Sequence, residues 1–354
     1  MMNSFRHLHQ PTGRIIALEQ REYLFFGGTA YLGLLVNPEY QLLVKEGIQL
    51  YGLNNGTSRS NNVQLGIYDE AEAVLATRFG YADAALFSSG YLAAQATVKS
   101  LALNGKIYYA PNSHPALWIA DKPNVLADDF NEWITLVVKE INDSSEENFV
   151  IIANAIDNLK PELYDFTPLK NIELSKKVIL ILDDSHGLGV VNKDSISANI
   201  SALSTLTHIN VVVVASLAKG FGTDAGIVLG NKEVVGKVKQ SPIFMGASPS
   251  SPAFIYALVK GENIYKEAFD KLHKNLAFFA SIVKPTWGIN YVADFPVFTS
   301  TNSNLYRHLC QNDILISSFP YPLPTSALLN RIVISALHSE NDIQKLTEVL
   351  QSHV

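Results

Sequence analysis

The side chains best suited to chemistry stand at the ends of two apolar runs. The first run, 211-VVVVA-215, has the length and β-branched content of a buried strand, and it leads into Ser216, Lys219 and the glycines Gly220, Gly222 and Gly226. Thirty-six residues before Lys219 a second run, 178-VILILD-183, ends in Asp183-Asp184-Ser185-His186-Gly187-Leu188-Gly189. Open α/β sheets bind their ligands at the carboxyl ends of strands. An amine, a carboxylate and an imidazole delivered to one such crevice are the groups that a pyridoxal phosphate site needs.

That cofactor asks for an amine to take its aldehyde, an anion beside the pyridine nitrogen, a flat group over the ring and a cup for the phosphate. Lys219 provides the amine, and Asp183 provides the anion that keeps the ring nitrogen protonated and the ring an electron sink. His186, three residues past Asp183, is placed to reach the phenolic oxygen, and His114 in 107-IYYAPNSHPALW-118 to stack on the ring. In 84-AALFSSGYLAAQATVKSLAL-103 the turn Ser88-Ser89-Gly90-Tyr91 precedes a helix, whose unpaired N–H groups and dipole suit a phosphate. Each residue alone has a plainer explanation: a surface lysine, a helix-capping Asp or Ser, a solvated loop histidine. Their joint occurrence at strand exits favours the site.

Two other chemistries fit less well. Ser216-Leu217-Ala218-Lys219 matches the Ser-x-x-Lys of penicillin-binding serine acylases, but no Ser-Asp-Asn or Lys-Thr-Gly follows it. Gly187-Leu188-Gly189 lacks the third glycine of a dinucleotide fingerprint.

The elements that must hold these residues alternate. From about 84 to 230 strand-like and helix-like segments take turns, which predicts βαβ units and a mostly parallel sheet. Residues 1–35, ending in 31-YLGLL-35, read as an N-terminal arm or edge strand. Residues 36–235 form the large cofactor-binding domain, and 236–354 a smaller α+β domain. The second begins with a long amphipathic helix over 253–283 and carries strand-like runs at 291–300, 313–319 and 331–337. The polar stretch 139–149 predicts a solvated loop or helix end, and 156–177 a Pro-Leu turn with a helix. A chain of 354 residues has room for a sizeable core in such an α/β unit and its companion.

Composition narrows the partners. A formal charge of −6 with no block of Lys or Arg argues against nucleic acid or an electrostatic membrane anchor. One cysteine, Cys310, excludes an internal disulfide framework and suits a reducing cytosol. The opening residues lack the apolar core of a signal peptide, and no run approaches the ~18 apolar residues that span a bilayer. A cytoplasmic enzyme with no metal site is the expectation.

Over most of its length, from about Tyr31-Leu32-Gly33-Leu34 to the final helix, the chain resembles the α-oxoamine synthases. These are fold-type I pyridoxal phosphate enzymes that include 8-amino-7-oxononanoate synthase and 2-amino-3-ketobutyrate CoA ligase. The resemblance rests on Asp183 to Gly187 for Asp-Asp-Ala/Ser-His-Gly, on Ser216, Lys219 and Gly222 for Thr-x-x-Lys-x-x-Gly, and on 87-FSSGY-91 for the phosphate turn. The stacking histidine falls on His114, and the arginine that grips the substrate carboxylate falls on Arg331 in 331-RIVISALH-338. It implies condensation of an amino acid with an acyl thioester, coenzyme A-borne in the family, to give an aminoketone. Lys219 would move the Cα proton and His114 would polarise the thioester carbonyl. It also implies a homodimer with the active site at the subunit interface, in which a Ser or Thr of the neighbouring subunit completes the phosphate cup. Ser248 in 246-GASPSSP-252 is the candidate.

Departures from the family gather on the substrate side. The glycine-rich loop reads 51-YGLNNGTSR-59, a Ser-Gly-Thr-His becomes Asn62-Val63-Gln64-Leu65, and Ala30 replaces an Asn. The strand that carries a Glu and a Ser near the ring has Asn154 and Asn158, with an insertion around Lys160-Pro161. Asn154 is therefore a candidate substrate contact. The changes leave two alternatives: an aminotransferase or amino-acid lyase, and a binding protein that keeps the fold without turnover.

Overall fold

The computed structural model describes residues 4–102, 105–320, 325–326 and 328–352. In chain order the strands are β1 (Ile15–Leu18), β2 (Arg21–Phe26), β3 (Asp83–Phe87), β4 (Lys106–Tyr109), β5 (Asn148–Asn154), β6 (Ile156–Asp157), β7 (Glu162–Leu163), β8 (Lys177–Asp183), β9 (Ile209–Ser216), β10 (Gly226–Gly230), β11 (Val297–Ser300), β12 (Ile314–Pro320) and β13 (Leu328–Val333). The helices are α1 (Pro38–Tyr51), α2 (Ile67–Arg78), α3 (Gly90–Leu101), α4 (Phe130–Asp143), α5 (Leu217–Gly220), α6 (Lys232–Lys239), α7 (Pro242–Gly246), α8 (Pro252–Lys260), α9 (Glu262–Ile282), α10 (Leu305–Gln311) and α11 (Glu340–Gln351).

Six strands form the larger sheet in the order β3-β10-β9-β8-β5-β4. The pairs from β9 to β4 are parallel, as the alternation predicts. β10 runs antiparallel to both of its neighbours. Only residues 217–225 separate it from β9, too few for a crossover between parallel strands. Both faces of the sheet are covered, which explains its near-continuous apolar runs. Val212 and Val214 of β9 pack with Ala93, Ala96 and Val238 of α3 and α6. Val213 and Ala215 belong to the core on the other face, with Leu75, Trp133 and Phe279.

Local signals place the helices. Ser89 caps α3 by accepting from Leu92 N–H, and Asp129 caps α4 by accepting from Asn131 and Glu132. The buried residues of α4, Phe130, Trp133, Ile134, Val137 and Ile141, recur at helical spacing. Ser339 and Asp342 close a reciprocal capping box on α11.

The smaller sheet has the order β1-β2-β12-β13-β11, antiparallel except for the β2–β12 pair. Its two N-terminal strands come from the segment read as an arm, at 15–18 and 21–26, and Ile16 and Tyr23 bury against Leu315. The apolar 31-YLGLL-35 is not an edge strand. Gly33, at φ 67°, turns the chain into a short 3₁₀ helix over Leu34–Val36. The long helix expected over 253–283 is two helices that meet at Gly261. α8 stays against α1 and α2, and α9 crosses to α11. Residues 156–171 form the hairpin β6–β7 and a 3₁₀ turn at Thr167–Asn171 in place of a helix; Pro161 and Pro168 interrupt any helical ladder there.

Candidate active site

Parallel register sets the floor of the site. Asn154, Asp183 and Val214 are neighbours across β5, β8 and β9, so Asp183 leaves the sheet at its carboxyl edge beside Ser216. Ser185 returns to this edge, where its hydroxyl accepts from Ser216 N–H at 2.9 Å. Asp183 Oδ1 accepts from Ser185 N–H at 2.9 Å, which pins the carboxylate at the strand exit.

The start of α3 closes on the same edge. Gly226 pairs with Ser216, and a Cβ on Gly226 would overlap the Ser89 carbonyl. A Cβ on Gly90 would lie 2.6 Å from that of Ser216. These two glycines let a helix N-terminus, with its free N–H groups, sit directly against the exit of β9 and the start of β10. The Ser89 hydroxyl is used as the cap, and Tyr91 is exposed.

Lys219 stands in α5, half-buried. Its Nζ lies 3.1 Å from His186 Nε2, and His186 Nδ1 lies 2.7 Å from the hydroxyl of Tyr31. Tyr31 is fully buried, and its backbone carbonyl accepts from Ala336 N–H, tying the turn after β2 to the end of the smaller sheet. Arg331 enters from β13. It is 6 % exposed, yet among the described residues its Nε and one Nη have no hydrogen-bond partner. Burial lowers the pKa of Lys219; Asp183 opposes this shift and Arg331 adds to it. Burial, then Lys219, Arg331 and His114, hold His186 well below the usual imidazole range. Burial also raises the Tyr31 phenol, against the pull of Arg331. A neutral imidazole thus bridges a phenol and an amine, beside a guanidinium with two open donors.

His114 forms the opposite wall, open to solvent on one side and crowded by protein on the other. Burial on the crowded side lowers its pKa, with Asp183 opposing and Lys219 adding. The cavity between runs past Asn112, Asn154, Asn158, Asp183, His186 and Lys219. The Asn154 side chain is already spent, accepting from His114 N–H at 3.1 Å and donating to Asn112 C=O at 2.7 Å. Ser248 is exposed and does not line this cavity. Tyr31, Asn112 and Asp157 were not singled out from the sequence as site residues. Tyr31 lies in the apolar 31-YLGLL-35, and no local motif marks the other two.

A wider groove at the amino-terminal edge of β9 runs past Tyr81, Ser197, Asn199, Ser204 and Asn210, but among the described residues no acid, lysine, arginine or histidine lines it. The chemistry therefore lies in the smaller cavity. Asp184 faces away from that cavity; burial raises its pKa to about 7, although it accepts from both the hydroxyl and the N–H of Ser197. Among the described residues no three His, Cys, Asp or Glu side chains are grouped to hold a metal ion. The donor set fits an anionic, carbonyl-bearing ring: a half-buried amine with a depressed pKa, a carboxylate at a strand exit, a helix N-terminus cleared by two glycines, and a guanidinium with two nitrogens open among the described residues.

Fold and site together define a pyridoxal phosphate-dependent transferase of fold type I. The sequence profile of the aminotransferase class I and II family matches residues 30–350, and the chain belongs to that family. Among curated relatives it is 26% identical over 343 residues to a putative 8-amino-7-oxononanoate synthase of Methanococcus aeolicus, covering 93% of this chain and 89% of the relative. It is 23% identical over 364 residues to the 8-amino-7-oxononanoate synthase of Hahella chejuensis, covering 98% and 91%. In structure it is similar to Sphingomonas wittichii serine palmitoyltransferase, with a TM-score of 0.82 at 16% identity over 98% and 91% of the two chains. The 8-amino-7-oxononanoate synthase of Francisella tularensis gives a TM-score of 0.67 at 17% identity over 94% and 97%. These structural likenesses concern the fold.

Proposed function

We propose that the protein condenses an amino acid with an acyl thioester to give an aminoketone, using pyridoxal phosphate. When bound, the cofactor supplies an electron sink that acidifies the substrate Cα–H. Lys219 would hold it at its aldehyde, and Asp183 would face its ring nitrogen. His186 would hydrogen-bond its phenolic oxygen and His114 would stack on its face. The N–H groups of Gly90 and Tyr91, with Ser89 and Ser216, would cup its phosphate.

The remaining steps belong to the chain. Burial and Arg331 favour the neutral amine of Lys219, so that it can accept the Cα proton. Arg331 binds the amino-acid carboxylate through the two guanidinium nitrogens left open, and Asn154 holds the wall that the substrate meets. The substrate Cα would then bond to the thioester carbonyl carbon with loss of the thiol, and loss of the carboxylate as CO2 with return of a proton to Cα would leave the aminoketone. The observation that carries this reading is the buried Arg331, beside the Lys219–His186–Tyr31 chain, with two guanidinium nitrogens open and no carboxylate partner among the described residues. An unpaired buried cation is costly unless an anion is meant to join it. Support for the acyl thioester comes from near full-length similarity to proteins named 8-amino-7-oxononanoate synthase.

We read the working unit as a homodimer with the site at its interface. Leu42 and Leu50 of α1, and Leu53 just past its end, are 59 to 71 % exposed. The Leu53 carbonyl accepts from the Ser251 hydroxyl at 2.8 Å, which joins this apolar face to the turn that carries Ser248. A second copy covering the face would bring that turn toward the neighbouring site. In this reading residues 36–235 hold the cofactor and 236–354 supply Arg331. No described helix is long and apolar enough to cross a membrane, and the lone cysteine suits a reducing cytoplasm.

The test is to incubate cofactor-loaded protein with a panel of amino acids, with and without acyl-coenzyme A, and to follow free thiol. Thiol release that depends on one amino acid is the expected result. Release at background with every pair overturns the reading; amine exchange with a 2-oxo acid under the same conditions would assign an aminotransferase instead.

A further inference from the structure

The hairpin β6–β7 follows directly on β5, and its first strand ends in Asp157, a carboxylate 2 % exposed. All its accepting directions are in use. Oδ1 takes the N–H groups of Leu159 at 2.7 Å and Lys160 at 3.1 Å. Oδ2 takes the Tyr164 hydroxyl at 3.2 Å and the Asn112 side-chain amide at 2.9 Å. Asn112 is held at φ 58°, a left-handed conformation that Asn tolerates better than most residues. Its carbonyl accepts from the Asn154 amide, whose oxygen in turn accepts from His114 N–H. Within the ring of His114, Nδ1 accepts from Ala116 N–H at 3.1 Å, so the neutral imidazole carries its proton on Nε2.

We propose that Asp157 is a positioning residue for His114. Through Asn112 and Asn154 it fixes the 112–116 turn, so that one face of the imidazole and one tautomer are presented to the cavity. A loop histidine whose backbone is held at a single point swings with its turn. Here the turn is pinned from β5 by Asn154 and from the hairpin by Asp157, and the two pins are joined through Asn112. The charge matters as well as the shape. An ionised Asp157 offers only acceptors to four donors, and an amide in its place would set its NH₂ against that of Asn112. Asp157 borders the same cavity, but both of its carboxylate oxygens are taken up by Leu159, Lys160, Tyr164 and Asn112, so it acts through His114. The inference rests on the proposed function for the use of His114, but the positioning itself is measurable without turnover.

The experiment follows the ¹⁵N and ¹H signals of His114 in histidine-labelled, cofactor-free protein, assigned by loss of the signals in a His114→Gln variant. In the parent the expected pattern is a single Nε2–H tautomer. Asp157→Asn should give tautomer-averaged signals. Asn112→Asp combined with Asp157→Asn exchanges donor and acceptor across the same bond and should restore the parent pattern. Tyr164→Phe, which removes another partner of Asp157 and keeps the ring stacked on Phe130, should leave the signals unchanged.

In the loaded enzyme the Asp157→Asn loss should appear in kcat, by about 10- to 100-fold, with little change in KM for the amino acid. Parent-like His114 signals in Asp157→Asn, or equal disturbance in Tyr164→Phe, overturn the proposal. Absence of thiol release in the parent, with the predicted NMR pattern intact, would overturn the condensation reading and leave the positioning role standing.

Discussion

At the scale of single residues the site divides into groups that act and groups that hold. Lys219 acts. Lys219→Ala should abolish cofactor fixed by borohydride, checked by mass mapping of the reduced protein, and should lower turnover by about 10²- to 10⁴-fold. Arg331 recognises. Arg331→Lys keeps a charge but loses the planar fork, and should raise KM for the amino acid by about 10- to 100-fold while the cofactor spectrum stays unchanged. Lys219, Asp183 and His186 are legible in the sequence because each follows a strand whose apolar run announces its own end. Tyr31 is not, because its partner His186 lies 155 positions away and no local pattern reports a contact at that separation. Asp157 is illegible for the same reason. Its role depends on Asn112, 45 positions earlier, and on a hairpin created by residues that read as a turn and helix.

At the scale of elements the site depends on how closely α3 approaches the exit of β9 and the start of β10. Gly226→Ala would force its methyl group into the Ser89 carbonyl, so α3 or β10 must shift. The predicted cost is about 1–3 kcal/mol in denaturant unfolding, with cofactor affinity falling further because the same movement takes the N–H groups of Gly90 and Tyr91 out of place. The direction of β10 could not be read from its residues. Gly226–Gly230 is buried throughout, and a strand covered on both faces carries the same pattern whichever way it runs. Nor could β1 and β2 be joined in advance to the smaller sheet. Their partner β12 lies nearly 300 residues away, and the pairing is carried by Ile16, Tyr23 and Leu315, which are distinctive only once together.

The whole molecule has a charge balance of its own. His338 is buried and held neutral, its pKa lowered to about 4 by burial, and burial likewise lowers His186 and His114. The unfolded chain takes up protons on these imidazoles first as pH falls below 6.5, so they withdraw stability from 6.5 downward. Asp184, raised to about 7, does the opposite: the native state binds its proton first, and stability is gained as pH falls from 7 toward 3.8. Asp184→Asn should therefore steepen the drop in melting temperature between pH 7 and pH 5. Asp342 is brought to about 2 by Arg14 and Ser339 against the effect of burial, so its contribution persists until pH falls below 3.8 toward 2. At the same scale, Leu50→Glu places a charge in the apolar face along α1 and should bring the sedimenting species down to a single 38.9 kDa chain.

The segment that bears Lys219 is fastened at both ends. Leu217 N–H donates to Ala225 C=O at 2.9 Å, Thr223 N–H donates back to Leu217 C=O at 3.3 Å, and the strands on either side are zipped together from Ser216 and Gly226 onward. With its backbone clamped, the amine can travel only by torsion about its own methylenes, on the picosecond-to-nanosecond clock of rotamer hops, without waiting for a slower loop. Movement of the Lys219 amine within the site would then not wait on the backbone, and at saturating substrate viscogens that slow segmental motion should leave a single-turnover rate untouched.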